Sequence, residues 1–224
     1  VIRTNANSFY DILEIARKDK AILVYASSAA TYGNLPSPQT VGTENPENPY
    51  GYSKYLMDLM AMKYSKKYPN MTISGLRYFN VYGPREFYKN KTASMVIQLA
   101  HQILDGKPPR LFKNSNKILR DFIYIDDVVQ ANIKACIPKN SGIFNIGTGK
   151  PRSFQEIADI LQKELNTNLG TEYFSNPYSG YQMHTQADMI SSMKNLNFKI
   201  EFSLERGIKA YIPEIKKLHR SDNI

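Results

Sequence analysis

An alternation of two periodicities constrains this chain more than any other feature. Residues 21–26 form a continuous apolar run that ends in small residues, a strand pattern returns at 72–79, and helical spacing fills 50–68 between them. A short unbroken apolar run suits a strand buried on both faces of a parallel sheet. Strand, helix and strand in succession then predict an α/β fold. Before this unit, 7–16 carries apolar residues at helical spacing. Residues 33–49 are rich in Pro, Gly and Asn and read as loop, and Leu56, Leu59, Met60 and Tyr64 are expected on the inner face of the 50–68 helix. Beyond Gly83-Pro84 the pattern predicts a helix at 93–104, strands near 110–112 and 118–124, a helix from Asp126 and a strand at 142–146. Ser153 and Glu156 have the spacing of a capping box that opens a helix through Leu165, and a last amphipathic helix is expected over 204–218, kinked at Pro213.

Composition narrows the function classes. The chain has 224 residues, 42% apolar and 22% charged, enough to bury a core. Its net charge of +9 raises a nucleic-acid reading, but the basic residues are scattered among acids, so no nucleic-acid partner is expected. A positive balance suits an anionic small substrate. No apolar run is long enough to span a bilayer and the first residues have no signal pattern, so no membrane partner and a cytoplasmic enzyme are expected. Cys136, the single cysteine, excludes an internal disulfide and is expected to be a small buried side chain. His101, His184 and His219 lack ligand spacing in the sequence, so no metal is expected.

The glycine-rich dinucleotide turn G-x-G-x-x-G is absent; Gly147-Thr148-Gly149 lacks a third glycine in register. There is no initiator Met either, and the expectation is that the sequence begins part-way through a dinucleotide-binding domain. Thr148 and Gly149 read as turn formers.

Tyr50 and Lys54 lie four residues apart at a helix start, on one face. A nearby ammonium favours a phenolate, which makes such a tyrosine usable as a general base at neutral pH. With 16 Tyr and 29 Lys plus Arg, about two Tyr-x-x-x-Lys/Arg pairs are expected by chance. Tyr50 and Lys54 are the only one, and Ser27-Ser28 lies upstream at the end of a predicted strand, where sheet enzymes place site residues.

The block 25–33 followed by Tyr50-x-x-x-Lys54 resembles the active-site signature of extended short-chain dehydrogenases/reductases. The blocks 77–85, 120–128 and 144–149 match three further segments of that family in the same order. The resemblance runs from about Asn5 to about Tyr211. It implies a Rossmann-type doubly wound parallel sheet with a smaller α/β substrate-binding domain. Residues 1–85 would be the C-terminal part of the dinucleotide-binding domain and 86–224 mainly the substrate domain, with 118–146 returning to the sheet.

By the same resemblance Ser28 hydrogen-bonds the reacting oxygen, Tyr50 is the acid/base, and Lys54 binds the nicotinamide ribose; Asn5 and Val81 are further cofactor contacts. Residues 86–95, directly after Gly83-Pro84-Arg85, are similar to the ADP-L-glycero-D-manno-heptose 6-epimerase family, which inverts the sixth carbon of an ADP-linked heptose for lipopolysaccharide cores with bound NADP. This implies NADP, with NAD as the other candidate, an ADP-heptose substrate and a homo-oligomer. Lys89 becomes a second acid/base beside the cofactor, provided burial lowers its pKa. Asn80, Lys91, Gln98, Phe112, Lys113, Asn114, Ser115, Arg120 and Tyr181 become substrate contacts with Ser28. Gln98 stands where that family more often has histidine, and Lys91 where a serine is common.

Plainer readings stand beside these. Lys89 and Lys91 are simply solvated, Arg120 pairs with Asp121, and Tyr181 is a surface aromatic. At the level of function, a UDP-hexose 4-epimerase or sugar-nucleotide dehydratase would share Ser28, Tyr50 and Lys54, and a non-catalytic nucleotide-sugar-binding subunit would keep the sheet without turnover.

Overall fold

A computed structural model describes residues 1–178 and 180–221, and the side chains of Lys91, Arg220 and Ser221 are outside that description. A π-helical turn, Arg3–Asn7, leads into α1 (Phe9–Lys18), β1 (Leu23–Ser28) and a 3₁₀ turn, Ala29–Tyr32. The loop 33–48 precedes α2 (Pro49–Lys67), which is followed by β2 (Ile73–Tyr78) and β3 (Asn80–Tyr82). After the 3₁₀ segment Phe87–Thr92 come α3 (Met95–Leu104), β4 (Arg110–Phe112), β5 (Leu119–Arg120), β6 (Phe122–Tyr124) and α4 (Ile125–Ala135). The remainder is β7 (Gly142–Ile146), β8 (Arg152–Ser153), α5 (Phe154–Leu165), β9 (Glu172–Phe174), α6 (Ile190–Leu196) and α7 (Leu204–Ser221).

The central sheet is parallel, in the order β1-β2-β7, with Leu23 opposite Ile73, Ser28 opposite Tyr78 and Ser74 opposite Gly142. The two-residue period of its strands feeds two separate cores. Ile73 and Ile143 pack with Phe9 and Leu13 of α1 and Met57 and Ala61 of α2. Leu76 and Phe144 pack with Val128 and Ala131 of α4 and Leu196 of α6. Helices on both faces of a parallel sheet are the doubly wound arrangement. A third core joins α3, α5 and α7 through Leu99, Ile103, Ile157, Leu161, Ile208 and Ile215. Short strands border it: β4 with β9 in parallel, β5 with β8 antiparallel. Among the described residues no helix is long and apolar enough to cross a membrane.

Four expectations change. The strand expected over 118–124 is two, because Asp121 breaks it: β5 pairs with β8 while β6 turns to pair with β3. The inner face of α2 is Ser53, Met57, Asp58, Ala61 and Tyr64, whereas Leu56, Leu59 and Met60 are only half-buried. Cys136 is exposed, not buried: α4 ends at Ala135, and the thiol turns back toward the carbonyl of Asn132 at 3.5 Å. Helix α7 continues past Leu218 to Ser221, with Pro213 inside it. The capping box holds, Ser153 Oγ accepting from Glu156 N at 3.1 Å and Glu156 accepting from Ser153 N at 2.6 Å.

Candidate active site

The end of β1 and the start of α2 are locked together. Asn48 caps α2 by accepting from Gly51 N at 2.8 Å, and Pro49 fills the first turn, where its missing N–H costs nothing. Gly51 faces the turn after β1 so closely that a methyl group on it would lie 2.3 Å from the Ala30 carbonyl oxygen. Only glycine permits that approach, and it seats the helix start against the residues following Ser28. Ser28 is the last residue of β1; its Oγ accepts from Ala30 N at 3.1 Å and its carbonyl accepts from Thr31 Oγ1 at 2.9 Å.

Tyr50 is 45% exposed, with its ring open to a ligand. Lys54 Nζ lies 6.0 Å from that ring's centroid and donates to the Ala26 carbonyl at 2.8 Å. Burial holds the Lys54 ammonium below the usual lysine range, with the Asp58 charge acting against it. Asn5 donates to Ser53 Oγ at 3.0 Å, and Ser53 Oγ donates to the Tyr50 carbonyl at 2.7 Å. Asn80 and Val81 begin β3 just past the carboxyl end of β2, Asn80 exposed and Val81 half-buried. Ser28, Tyr50, Lys54, Asn5, Asn80 and Val81 therefore belong to elements that meet at the carboxyl edge of the sheet, where open α/β sheets bind ligands. A phenol beside an ammonium at that edge suits a nicotinamide ribose and a substrate hydroxyl.

Behind this edge is a buried polar network that sequence reasoning missed. Asp58 accepts from Tyr25 OH at 2.8 Å, Ser27 Oγ at 2.9 Å and Arg77 Nε at 2.8 Å. Arg77 also pairs with Glu44 and lies 4.9 Å over the Tyr32 ring. Gly75 makes room for Tyr25, whose hydroxyl would lie 2.5 Å from a methyl group there. Burial pushes the Asp58 carboxyl up against the pull of Arg77, Tyr25 and Ser27. For Arg77, burial works to lower the pKa, but Tyr32, Asp58 and Glu44 hold it above the usual range.

A second group of the expected residues surrounds an aromatic cleft of about 370 Å³ between α3, β4 and the segment after β9. Gln98, Phe112, Ser115 and Tyr181 line it, joined by Arg110, Phe174 and Tyr178, which no sequence motif singles out. Phe112 meets Phe174, Tyr178 and Tyr181 at 5.0, 6.2 and 5.5 Å. Arg120 is buried behind the cleft, its guanidinium 5.1 Å from the Tyr181 ring and 5.8 Å from Phe154. Burial lowers its pKa. It donates to the carbonyls of Leu119 and Gln182 and forms no ion pair with Asp121. Asp121 instead accepts from the backbone of Thr148, Gly149 and Ala187 at 2.6, 2.8 and 2.9 Å, so the Gly147-Thr148-Gly149 turn wraps a carboxylate of the chain itself. Tyr181 is half-buried, not a surface aromatic, and Lys113 and Asn114 are exposed on the turn after β4.

Lys89 belongs to neither group. It is exposed on the 3₁₀ segment Phe87–Thr92, so the burial on which its second acid/base role depends is not found. The base of this segment is tied by buried Glu86, which accepts from Gly83 N at 3.3 Å, Ser94 N at 2.7 Å and Ser94 Oγ at 2.7 Å. The Lys91 side chain, an expected substrate contact, lies outside the described residues. A larger hollow, about 660 Å³ beside β8 and the start of α7, holds none of the expected residues. The fold brings His101 and His219 together, Nδ1 to Nδ1 at 3.1 Å, yet no group of three or more metal-ligating side chains exists among the described residues.

A doubly wound sheet with a tyrosine and a lysine paired at its carboxyl edge defines a class of dinucleotide-dependent enzymes. Residues 1–147 match the profile of the NAD dependent epimerase/dehydratase family, and the chain belongs to that family. It is similar to the ADP-L-glycero-D-manno-heptose-6-epimerase of Brachyspira hyodysenteriae, 39% identical over 97% of this chain and 70% of that protein. The crystal structure of the Helicobacter pylori ADP-L-glycero-D-manno-heptose-6-epimerase superposes with a TM-score of 0.88 at 45% identity, covering 96% of this chain and 66% of that one. UDP-glucuronic acid 4-epimerase from Bacillus cereus, solved with UDP-glucuronic acid and NAD, gives a TM-score of 0.81 at 26% identity over 96% of this chain and 68% of that one. The chain thus spans about two thirds of the length of the relatives it matches.

Proposed function

We propose that this chain carries the reacting residues of an epimerase that inverts the sixth carbon of ADP-L-glycero-D-manno-heptose by transient oxidation, with NADP as the bound dinucleotide. The observation that carries the reading is the Tyr50 ring with the Lys54 ammonium 6.0 Å from its centroid at the carboxyl edge of the sheet. The heptose is favoured over other sugars by the identity to two heptose epimerases, 39% and 45%, against 26% for a UDP-sugar enzyme.

When bound, the dinucleotide supplies reversible hydride acceptance. The residues of this chain manage the proton and the geometry. Tyr50 takes the proton of the sugar hydroxyl and later returns it, Ser28 donates a hydrogen bond to the same oxygen, and Lys54 favours the phenolate and holds the ribose. Asn5 and Val81 border the cofactor. Inversion requires the carbonyl to present its other face, so a proton donor is wanted in a second pose. Lys89 is assigned to it, with a contact to the cofactor, and from its exposed position it must move inward to act.

The aromatic cleft at Phe112 and Tyr181 suits a nucleotide base, with Gln98, Ser115 and Arg120 around it, while Asn80, Lys91, Lys113 and Asn114 are assigned to the sugar and diphosphate. Residues 1–85 and 118–146 would form the dinucleotide-binding part and the rest mainly the substrate part, in a cytoplasmic homo-oligomer. The test is turnover of ADP-heptose against UDP-glucose and GDP-mannose, followed by release of nicotinamide on denaturation. Turnover of UDP-glucose alone would make the protein a UDP-hexose 4-epimerase, and absence of both turnover and nicotinamide would make it a binding subunit.

A further inference from the structure

The network beneath α2 takes no part in the chemistry just described, yet Asp58 and Arg77 are fully buried. Burying a charge costs several kcal/mol even when it is paired, and well-packed apolar residues commonly match or exceed such a pair in stability. Stability is therefore a weak reason for these residues, and the geometry they impose is the better one.

Asp58 follows Lys54 by one helical turn, so both lie on one face of α2. The Asp58 carboxylate accepts from Tyr25 OH at 2.8 Å and Ser27 Oγ at 2.9 Å, while Lys54 Nζ donates to the carbonyl of Ala26 between them at 2.8 Å. Helix α2 is thus tied to three consecutive residues of β1, immediately before Ser28. On the far side Arg77 of β2 holds Asp58, with Nε and Nη2 each 2.8 Å from Oδ2, and is itself paired with Glu44 of the loop before α2. We propose that Asp58, braced by Arg77 and Glu44, is a positioning residue that fixes α2 along the end of β1 and sets Tyr50 and Lys54 in reacting register with Ser28. This rests on the reading of those three as the reacting residues.

The network also balances charge. The groups facing Lys54 are Tyr50 and Asp58 on α2; those facing Asp58 are Tyr25 and Ser27 on β1 and Arg77 on β2, with Glu44 and Tyr32 beyond. Two carboxylates and one guanidinium leave one negative charge, which the Lys54 ammonium neutralises. Without the Asp58 charge, Lys54 would meet its desolvation unaided and lose its proton at lower pH.

The experiment is Asp58→Asn in the holoenzyme, beside Tyr50→Phe. The expected result is a kcat lower by roughly tenfold to hundredfold, an unchanged KM for the nucleotide sugar, and an alkaline limb of the kcat profile moved to lower pH. Asp58→Glu, which restores the charge one methylene out of place, should recover the pH limb but only part of the rate. Wild-type kcat in folded Asp58→Asn overturns the proposal, and so does a loss of kcat with the alkaline limb unmoved, since a purely structural role predicts that. If Asp58→Asn does not fold, Ser27→Ala removes one tie and no charge. A severalfold loss of kcat at constant KM is then expected, and wild-type kcat overturns the idea. Inactive Tyr50→Phe beside unaffected Asp58→Asn overturns the positioning role alone, whereas active Tyr50→Phe overturns the reading of the site as well.

Discussion

Lys54 is half-buried, bonded to a strand carbonyl and backed by a charged network, while Lys89 stands exposed on a segment tied at its base by Glu86 and by Phe87, which packs on the α3–α5–α7 core. The two lysines assigned to one reaction thus sit in opposite surroundings. Around Lys54 the sheet and α2 are preorganised, so the proposed reacting groups are held in place before any ligand arrives. Around Lys89 the chain is exposed from Tyr88 to Asn90, so burial of the ammonium has to come from bound substrate. The difference frames the proposed division of labour: a rigid half for the first proton transfer and an exposed half for the second.

Removing the rigid half's acid/base should cost most. Tyr50→Phe is expected to lower turnover by about 10²- to 10⁴-fold, with substrate affinity little changed, as measured by steady-state rates and equilibrium titration. Near-normal turnover would show that the preorganised half is not where chemistry starts. Lys54→Met ranks next and should weaken turnover and dinucleotide retention together, the second read as nicotinamide released on denaturation. Lys89→Met is expected to be milder, roughly tenfold, in dismutation of an ADP-mannose-type aldehyde that needs no initial oxidation. The double variant with Tyr50→Phe should be dead, and full activity of Lys89→Met would leave a single acid/base. The smallest effect belongs to Glu86→Gln, which weakens charge-assisted bonds to Ser94 and Gly83, at about 1–3 kcal/mol. Its signature is faster tryptic cleavage after Lys89 with no change at Lys54; equal susceptibility to wild type would mean that Glu86 does not hold the segment.

The sheet and the placement of Lys54 beside Tyr50 were legible because their signals are local: an apolar run, a helix start, four-residue spacing. The Ser153–Glu156 box was legible for the same reason. The Asp58–Arg77–Glu44 network was not, since its members are 14 to 33 residues apart in sequence and no short pattern joins them. Asp58 also misled the reading of α2. A buried carboxylate counts as polar in any periodicity, so the inner face was sought at Leu56, Leu59 and Met60 when it runs through Asp58. Arg120 and Asp121 illustrate the converse: adjacent opposite charges suggest an ion pair, but the break between β5 and β6 at Asp121 sends them to different partners. The aromatic cleft needed the fold to assemble it, because β4 and β9 meet across some sixty residues.

Asp121 has a consequence for how the protein is made. Its carboxylate collects N–H groups from residues 27, 28 and 66 positions later, while its carbonyl accepts from Asn80 N at 3.0 Å. A chain leaves the ribosome N-terminal end first. The β1–α2 unit with Tyr50 and Lys54 is therefore complete long before the last donor, Ala187, has been synthesised, and until then Asp121 Oδ2 lacks one of its two backbone donors. Closure of the cradle around the Asp121 carboxylate is in this sense a late step, completed only when Ala187 has been synthesised. Nascent chains stalled before residue 187 should show faster hydrogen exchange at Gly149, which shares Asp121 Oδ2 with Ala187, alongside protected amides in α2, and equal protection of the two would contradict that order.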